Sequence, residues 1–96
     1  MIYEERGRLS DRVQDINRAI DSLKEEVEAV TAYIQRAEAS KDENLKRILL
    51  HNSKEEKEHA SMLLEWIRQN DKEFAKELED YMFSKEKDLT KIEGHH

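Results

Sequence analysis

Residues 45–66 read LKRILLHNSKEEKEHASMLLEW. Within them Leu45, Leu49, Asn52, Glu56, His59, Leu63 and Trp66 follow one another at alternating steps of four and three. Side chains so spaced share one face of an α-helix, and the pattern is that of a long helix packed almost parallel or antiparallel to another. The middle of this seam is polar: Asn52, Glu56 and His59 lie between Leu45 and Leu49 on one side and Leu63 and Trp66 on the other. A buried unpaired carboxylate costs several kcal/mol after relaxation, and a whole domain is stable by only about 5–15 kcal/mol. Something must compensate the charge.

The segment before it carries the same spacing at Leu9, Val13, Ile16, Ile20, Leu23, Val27, Val30, Ile34 and Ala37. This predicts a first helix from about residue 8 to about residue 38, roughly 45 Å long, with Ser10 as an N-cap. Ala39-Ser40-Lys41-Asp42-Glu43 breaks the pattern, with Ser40 or Asp42 capping the next helix. A connection this short makes the two helices antiparallel neighbours. Asn70-Asp71 ends the second helix, and a short third one follows with Phe74, Leu78, Tyr81 and Met82 on one side. The expected fold is all-α: an antiparallel two-helix hairpin plus a short C-terminal helix, half of a ferritin-like four-helix bundle completed by dimerisation. Residues 1–83 form the helical domain, 84–93 a charged linker or frayed tail, and 94–96 (Gly-His-His) the stump of a purification tag.

Composition agrees with an incomplete core. Of the 96 residues 42% are charged and 36% apolar, and a chain this small buries only about 60% of the surface it exposes when unfolded. Small chains need disulfides, a metal or a partner. With no Cys, disulfides, thiolate nucleophiles and zinc knuckles are excluded. No Pro and two Gly leave too few turn-formers for a β protein. No apolar run approaches the roughly 20 residues of a membrane span, and the charged start is unlike a secretory signal, so a cytoplasmic setting is expected. The net charge of −6 argues against nucleic acid and suits a cation-rich environment.

Glu56 and His59 form a Glu-x-x-His pair whose side chains share a helical face. Di-metal carboxylate bundles use such a pair from each of two helices and a lone Glu from each of the other two. Glu26 can be that lone Glu: it lies beside the first seam, on a flanking stripe of Ala19, Ser22, Ala29 and Tyr33. One chain then owns half a site. Two copies about a two-fold axis supply four carboxylates and two imidazoles, neutral with two divalent cations, and oxygen-rich ligation with one nitrogen per metal suits iron or manganese. The alternative for Glu56 and His59 is a buried salt bridge between chains. Tyr33, Trp66, Met62 and Met82 are also readable as packing residues.

The stretches Glu25-Glu26-Val27-Glu28-Ala29-Val30, Leu50-His51-Asn52, Glu55-Glu56-Lys57-Glu58-His59-Ala60 and Met62-Leu63-Leu64-Glu65-Trp66 closely resemble encapsulated ferritins, over about residues 12 to 83. Ordinary ferritins carry a full four-helix bundle in one chain, whereas that family has two main helices. The resemblance implies a ferroxidase at a subunit interface, a ring-shaped homodecamer built from dimers, and residence in the lumen of an encapsulin nanocompartment, where iron is mineralised. It implies Glu26, Glu56 and His59 as di-iron ligands with Tyr33 beside them. It further implies Glu25 and Glu28 as carboxylates on the metal's route in, and His51, Glu55 and Glu58 as an outer site, with other divalent cations such as Ca accepted at such secondary positions. Two positions depart from the family. Ala32 stands where a bulky aromatic is expected and Thr31 where an acidic residue is, which makes that route more open or less acidic.

The reading that joins these is oxidation of Fe(II) to Fe(III) by O2 at a centre shared between chains. Its rivals are a helical adaptor whose Glu–His pairs only set register, and a rubrerythrin-like peroxidase using the same ligands.

Overall fold

A computed structural model describes residues 2–92. Three helices account for most of them: α1 (Asp11–Ala39), α2 (Glu43–Asn70) and α3 (Lys72–Tyr81), and no strand occurs among the described residues. Each helix begins at a side-chain cap. Ser10 Oγ accepts the Val13 N–H at 3.1 Å, Asp42 Oδ1 that of Leu45 at 2.9 Å and Asp71 Oδ1 that of Phe74 at 3.0 Å. These caps satisfy amide groups that the helix itself leaves free. The first helix begins at Asp11 rather than residue 8, because Arg6–Arg8 form a separate 3-10 turn and Leu9 is extended. Of the two caps open for α2, Asp42 serves, while Ser40 Oγ accepts the Asp42 N–H at 3.2 Å.

The tail is more ordered than a frayed end. Ser84 Oγ takes the Glu86 N–H at 3.0 Å, Asp88 Oδ1 takes that of Thr90 at 3.1 Å, and Leu89–Lys91 form a second 3-10 turn. Short polar side chains that bond two residues ahead build such turns without any core. The tag reading of residues 94–96 lies outside the described residues. Among the described residues no helix is long and apolar enough to cross a membrane.

α1 and α2 pack as an antiparallel hairpin: Val30 meets Ser53, Glu26 meets His59, and Arg12 near the start of α1 donates to the Asn70 carbonyl at the end of α2. The line of contact takes every second member of each apolar seam and adds the small residues that precede or follow the rest. On α1 it includes buried Ala19 and Ala37, with Glu26 between them; on α2 it includes buried Ser53 and Ile67, with Ala60 between them. Ile67, fully buried, had no place in the seven-residue seam of α2, and the small residues beside it let the backbones approach.

The other half of each seam is left on the outside, on opposite faces. In two antiparallel right-handed helices, stepping forward one residue from the contact line turns both toward the same face of the hairpin, and stepping back turns both toward the other. Val13, Ile20, Val27 and Ile34 are exposed on the forward side of α1. Asn52, His59 and Trp66 lie on the backward side of α2. The helices therefore carry two unpartnered stripes rather than one shared seam. The accessible surface is 7934 Å², against about 5,800 Å² for a compact monomer of this mass. A standard interface removes about 800 Å² from each partner, so the excess is enough for two. The shape follows, with extents of 47 × 42 × 19 Å. α3 lies against α2, and an open groove between them is floored by Leu64, Ala75, Leu78 and Met82.

Candidate metal centre

Glu26 is delivered by the middle of α1, and Glu56 and His59 by facing turns of α2. His59 Nδ1 lies 3.6 Å from Glu26 Oε2 and 3.6 Å from Glu56 Oε2. One ligand atom from each of the three falls within 4.8 Å of the others, and among the described residues this is the one group of three potential metal ligands that converges so. Ligands about 2.1 Å from a small octahedral cation stand about 3 Å apart, so modest rotation about the side-chain bonds closes the set.

The donor set fits a cation on its own chemistry. Glu26 Oε2 is buried and has no hydrogen-bond partner, a condition that carries a desolvation cost. The ion pairs of both carboxylates run to the same imidazole. One imidazole, charged or not, cannot neutralise two carboxylates, so the cluster keeps net negative charge. It is also half open: the His59 side chain is 44% exposed, on the face that the hairpin leaves uncovered. Three protein donors, two oxygens and one nitrogen, with an open side describe half of a shared site better than a finished structural one.

The other expected residues are distributed less tightly. Tyr33 is on the contact side of α1, two turns from Glu26 and about 10 Å along the axis. Its ring is under the Arg36 guanidinium, 5.7 Å from the centroid, and not among the three ligands. Glu25 and Glu28 are exposed on α1. His51 Nε2 is paired with Glu55 Oε1 at 3.5 Å, while Glu58, exposed, does not join them as a third converging ligand. Ser53, one turn from Glu56 and buried, was not singled out by the apolar pattern. Its signal was there in size: Ser53, Ala60 and Ile67 recur every seven residues, one position beyond Asn52, His59 and Trp66.

Comparison with known proteins bears on all of this. The EncFtn-like family profile matches residues 1–85. A Thermotoga maritima ferritin-like protein is 46% identical over 91 residues, 95% of this chain and 79% of that one. A Rhodospirillum rubrum encapsulated ferritin-like protein is 49% identical over 86 residues, 90% of this chain and 61% of its own length. In Pyrococcus furiosus a ferritin-like–encapsulin shell fusion protein is 39% identical over 70 residues, 73% of this chain and 20% of the fusion. A crystal structure of a Nitrosomonas europaea protein superposes with a TM-score of 0.85 at 56% identity, covering 88% of this chain and 93% of that one.

Proposed function

The chain belongs to the EncFtn-like family, and on that premise we propose that it is a ferroxidase, oxidising Fe(II) to Fe(III) with O2 at a di-iron centre shared by two copies. The observation that carries this reading is the convergence of Glu26, Glu56 and His59 around a buried carboxylate oxygen that has no hydrogen-bond partner among the described residues. Fe(II) is the substrate. Two copies facing each other across the His59 side bring together four carboxylates and two imidazoles. The carboxylates neutralise two Fe(II) and favour the higher charge of Fe(III), which draws one electron from each ion toward dioxygen. The imidazoles complete the ligand sets, and the packing of α1 on α2 holds each chain's three groups near one another before iron arrives.

Tyr33 borders the centre in this reading. Glu25 and Glu28 form an acidic edge that raises the local concentration of cations on their way in. His51, Glu55 and Glu58 are an outer site, to which a neighbouring copy adds what the single chain lacks. The stripe of Val13, Ile20, Val27 and Ile34 lies on the face opposite His59 and takes a second kind of contact between copies. Two different self-contacts per chain build a closed ring when the rotation closes, which supports a ring of dimers, a decamer by resemblance. The encapsulated relative and the shell fusion support residence inside an encapsulin nanocompartment in the cytoplasm, where the oxidised iron is mineralised.

Aerobic addition of Fe(II) tests the reading. Absorbance from Fe(III) should rise well above the buffer rate and continue past one iron per chain. An adaptor without enzymatic function would leave the buffer rate unchanged, and a peroxidase would respond to hydrogen peroxide rather than to O2.

A further inference from the structure

One turn from the centre the two long helices touch through a polar side chain. Ser53 is 2% exposed, and its Oγ donates to the Val30 carbonyl at 3.2 Å. Val30 is four residues beyond Glu26 and Ser53 three before Glu56, so this bond lies about 5–6 Å along the helix axes from both carboxylates. A hydroxyl on a one-carbon stem reaches a carbonyl of the neighbouring helix only where the backbones approach closely. The other buried residues of the α1 contact line, Ala19 and Ala37, are small for the same reason. A helical carbonyl at this position already has its own intrahelical donor, so the Ser53 bond is not needed to satisfy Val30. What it adds is a fixed relation between the two helices at the level of the metal ligands.

We propose that Ser53 is a positioning residue for the metal centre. Its small volume and its bond to Val30 hold α1 and α2 at the separation and rotation in which Glu26, Glu56 and His59 converge. This rests on the reading of that cluster as a metal site. A larger side chain would wedge the helices apart and draw Glu26 on α1 away from the pair on α2. Loss of the hydroxyl alone would leave the separation and free the rotation. A residue that merely filled space would alter stability and leave the coordination of a bound metal unchanged.

Co(II) titrated into the full chain under anaerobic conditions separates these roles, because its visible absorption reports the number and arrangement of ligands. Ser53→Val should weaken Co(II) binding by about tenfold or more, within the range seen when outer-shell partners of metal ligands are lost, and should change the spectrum. Ser53→Thr keeps the hydroxyl but has nearly the volume of valine, so it should also weaken binding, though less than Ser53→Val. Ser53→Ala should weaken binding less and broaden the spectrum. Ala37→Val, an equally buried wedge eleven residues from Glu26, should leave affinity and spectrum as they are. Circular dichroism of each variant reports whether the helices form. Native affinity and spectrum in Ser53→Ala and Ser53→Val together would overturn the proposal, and if Ser53→Val failed to fold, the same result in Ser53→Ala would suffice. Failure of the unmodified chain to take up Co(II) would instead overturn the metal site itself.

Discussion

Glu26 Oε2 lies 3.6 Å from His59 Nδ1 yet, though buried, has no hydrogen-bond partner. Folding has placed a carboxylate oxygen where water is excluded and offered it only one side of an imidazole. An isolated buried acceptor of this kind costs about 1–3 kcal/mol, more when charged. Helix propensity does not require Glu there, and in the proposed reading a bound cation offsets the cost.

The first expectation follows from that geometry. Glu56→Ala or His59→Ala should leave helical content unchanged and slow Fe(II) oxidation by more than the 10–100-fold typical of losing an outer-shell partner. Each substitution removes a ligand from both halves of the shared site. Lys57→Ala, exposed on α2, serves as the control. Stopped-flow absorbance after Fe(II) mixing measures all three, and near-normal turnover in His59→Ala would remove His59 from the ligand set.

A pH effect is expected at the far end of α2. Hydrogen bonds from Arg68, at 2.5 and 2.8 Å, and from Gln69, at 2.9 Å, hold the Glu65 carboxyl at about 2, well below its ordinary 4.5. A carboxylate whose pKa is depressed on folding contributes stability that is complete above the unfolded value and is lost as pH falls through the folded one. The stability difference between the unmodified chain and Glu65→Gln should be constant above about pH 5 and shrink between about 4.5 and 2. Glu65 is exposed, so the difference should be small and should fall further with salt. Carboxyl NMR titration with a Glu65 midpoint near 4.5 would contradict it.

The two faces of the hairpin predict separable assembly defects. Val27 is exposed on the forward side of α1, and Trp66 lies on the same side of α2 as His59. An arginine in either place puts charge into an apolar contact, where burial without a partner is costly. Val27→Arg should stop growth of the ring and leave dimers that still oxidise iron. Trp66→Arg should break the metal-sharing pair and remove activity with it. Sedimentation velocity and the oxidation assay on the same samples would decide, and identical behaviour of the two variants would mean that one face serves both contacts.

The long helices were legible in the sequence because two independent signals coincide: apolar spacing of three and four, and cap-forming residues at the starts, Ser10 for α1 and Ser40 or Asp42 for α2. The ligand cluster was legible because charge stands out in a seam. Glu56 and His59 interrupt it, and Glu26 falls among small residues. Which stripe closes the hairpin was not legible from hydrophobicity. Ala19 is weakly apolar beside Ile20, and Ser53 and Ala60 are too polar or too small to mark a core stripe on hydrophobicity alone. They make the contact because close approach of two helices is limited by size before it is driven by hydrophobicity. The turns of the tail were not legible for a related reason: Ser84 and Asp88 build them through single hydrogen bonds that leave no periodic trace.

Metal should promote association. Each chain owns two carboxylates and one imidazole, so pairing without metal brings four carboxylates together, and like charges at such distances repel strongly where solvent is excluded. A divalent ion reverses that term: it binds the pair better than the single chain, and whatever binds only the associated form favours it by mass action. At about 100 times its dissociation constant one such ligand contributes about 2.7 kcal/mol, close to a hundredfold in the association constant. Dilute metal-free protein should therefore shift from monomers toward dimers and larger rings when Fe(II) is added anaerobically, or Co(II) in its place. Glu26→Gln should weaken the repulsion and the metal response together, and so associate more readily without metal and gain less from it. Sedimentation of metal-free and metal-loaded protein at several concentrations measures both. A metal-loaded monomer that oxidised iron at the rate of the assembled protein would refute the shared centre, because three donors from one chain would then be sufficient.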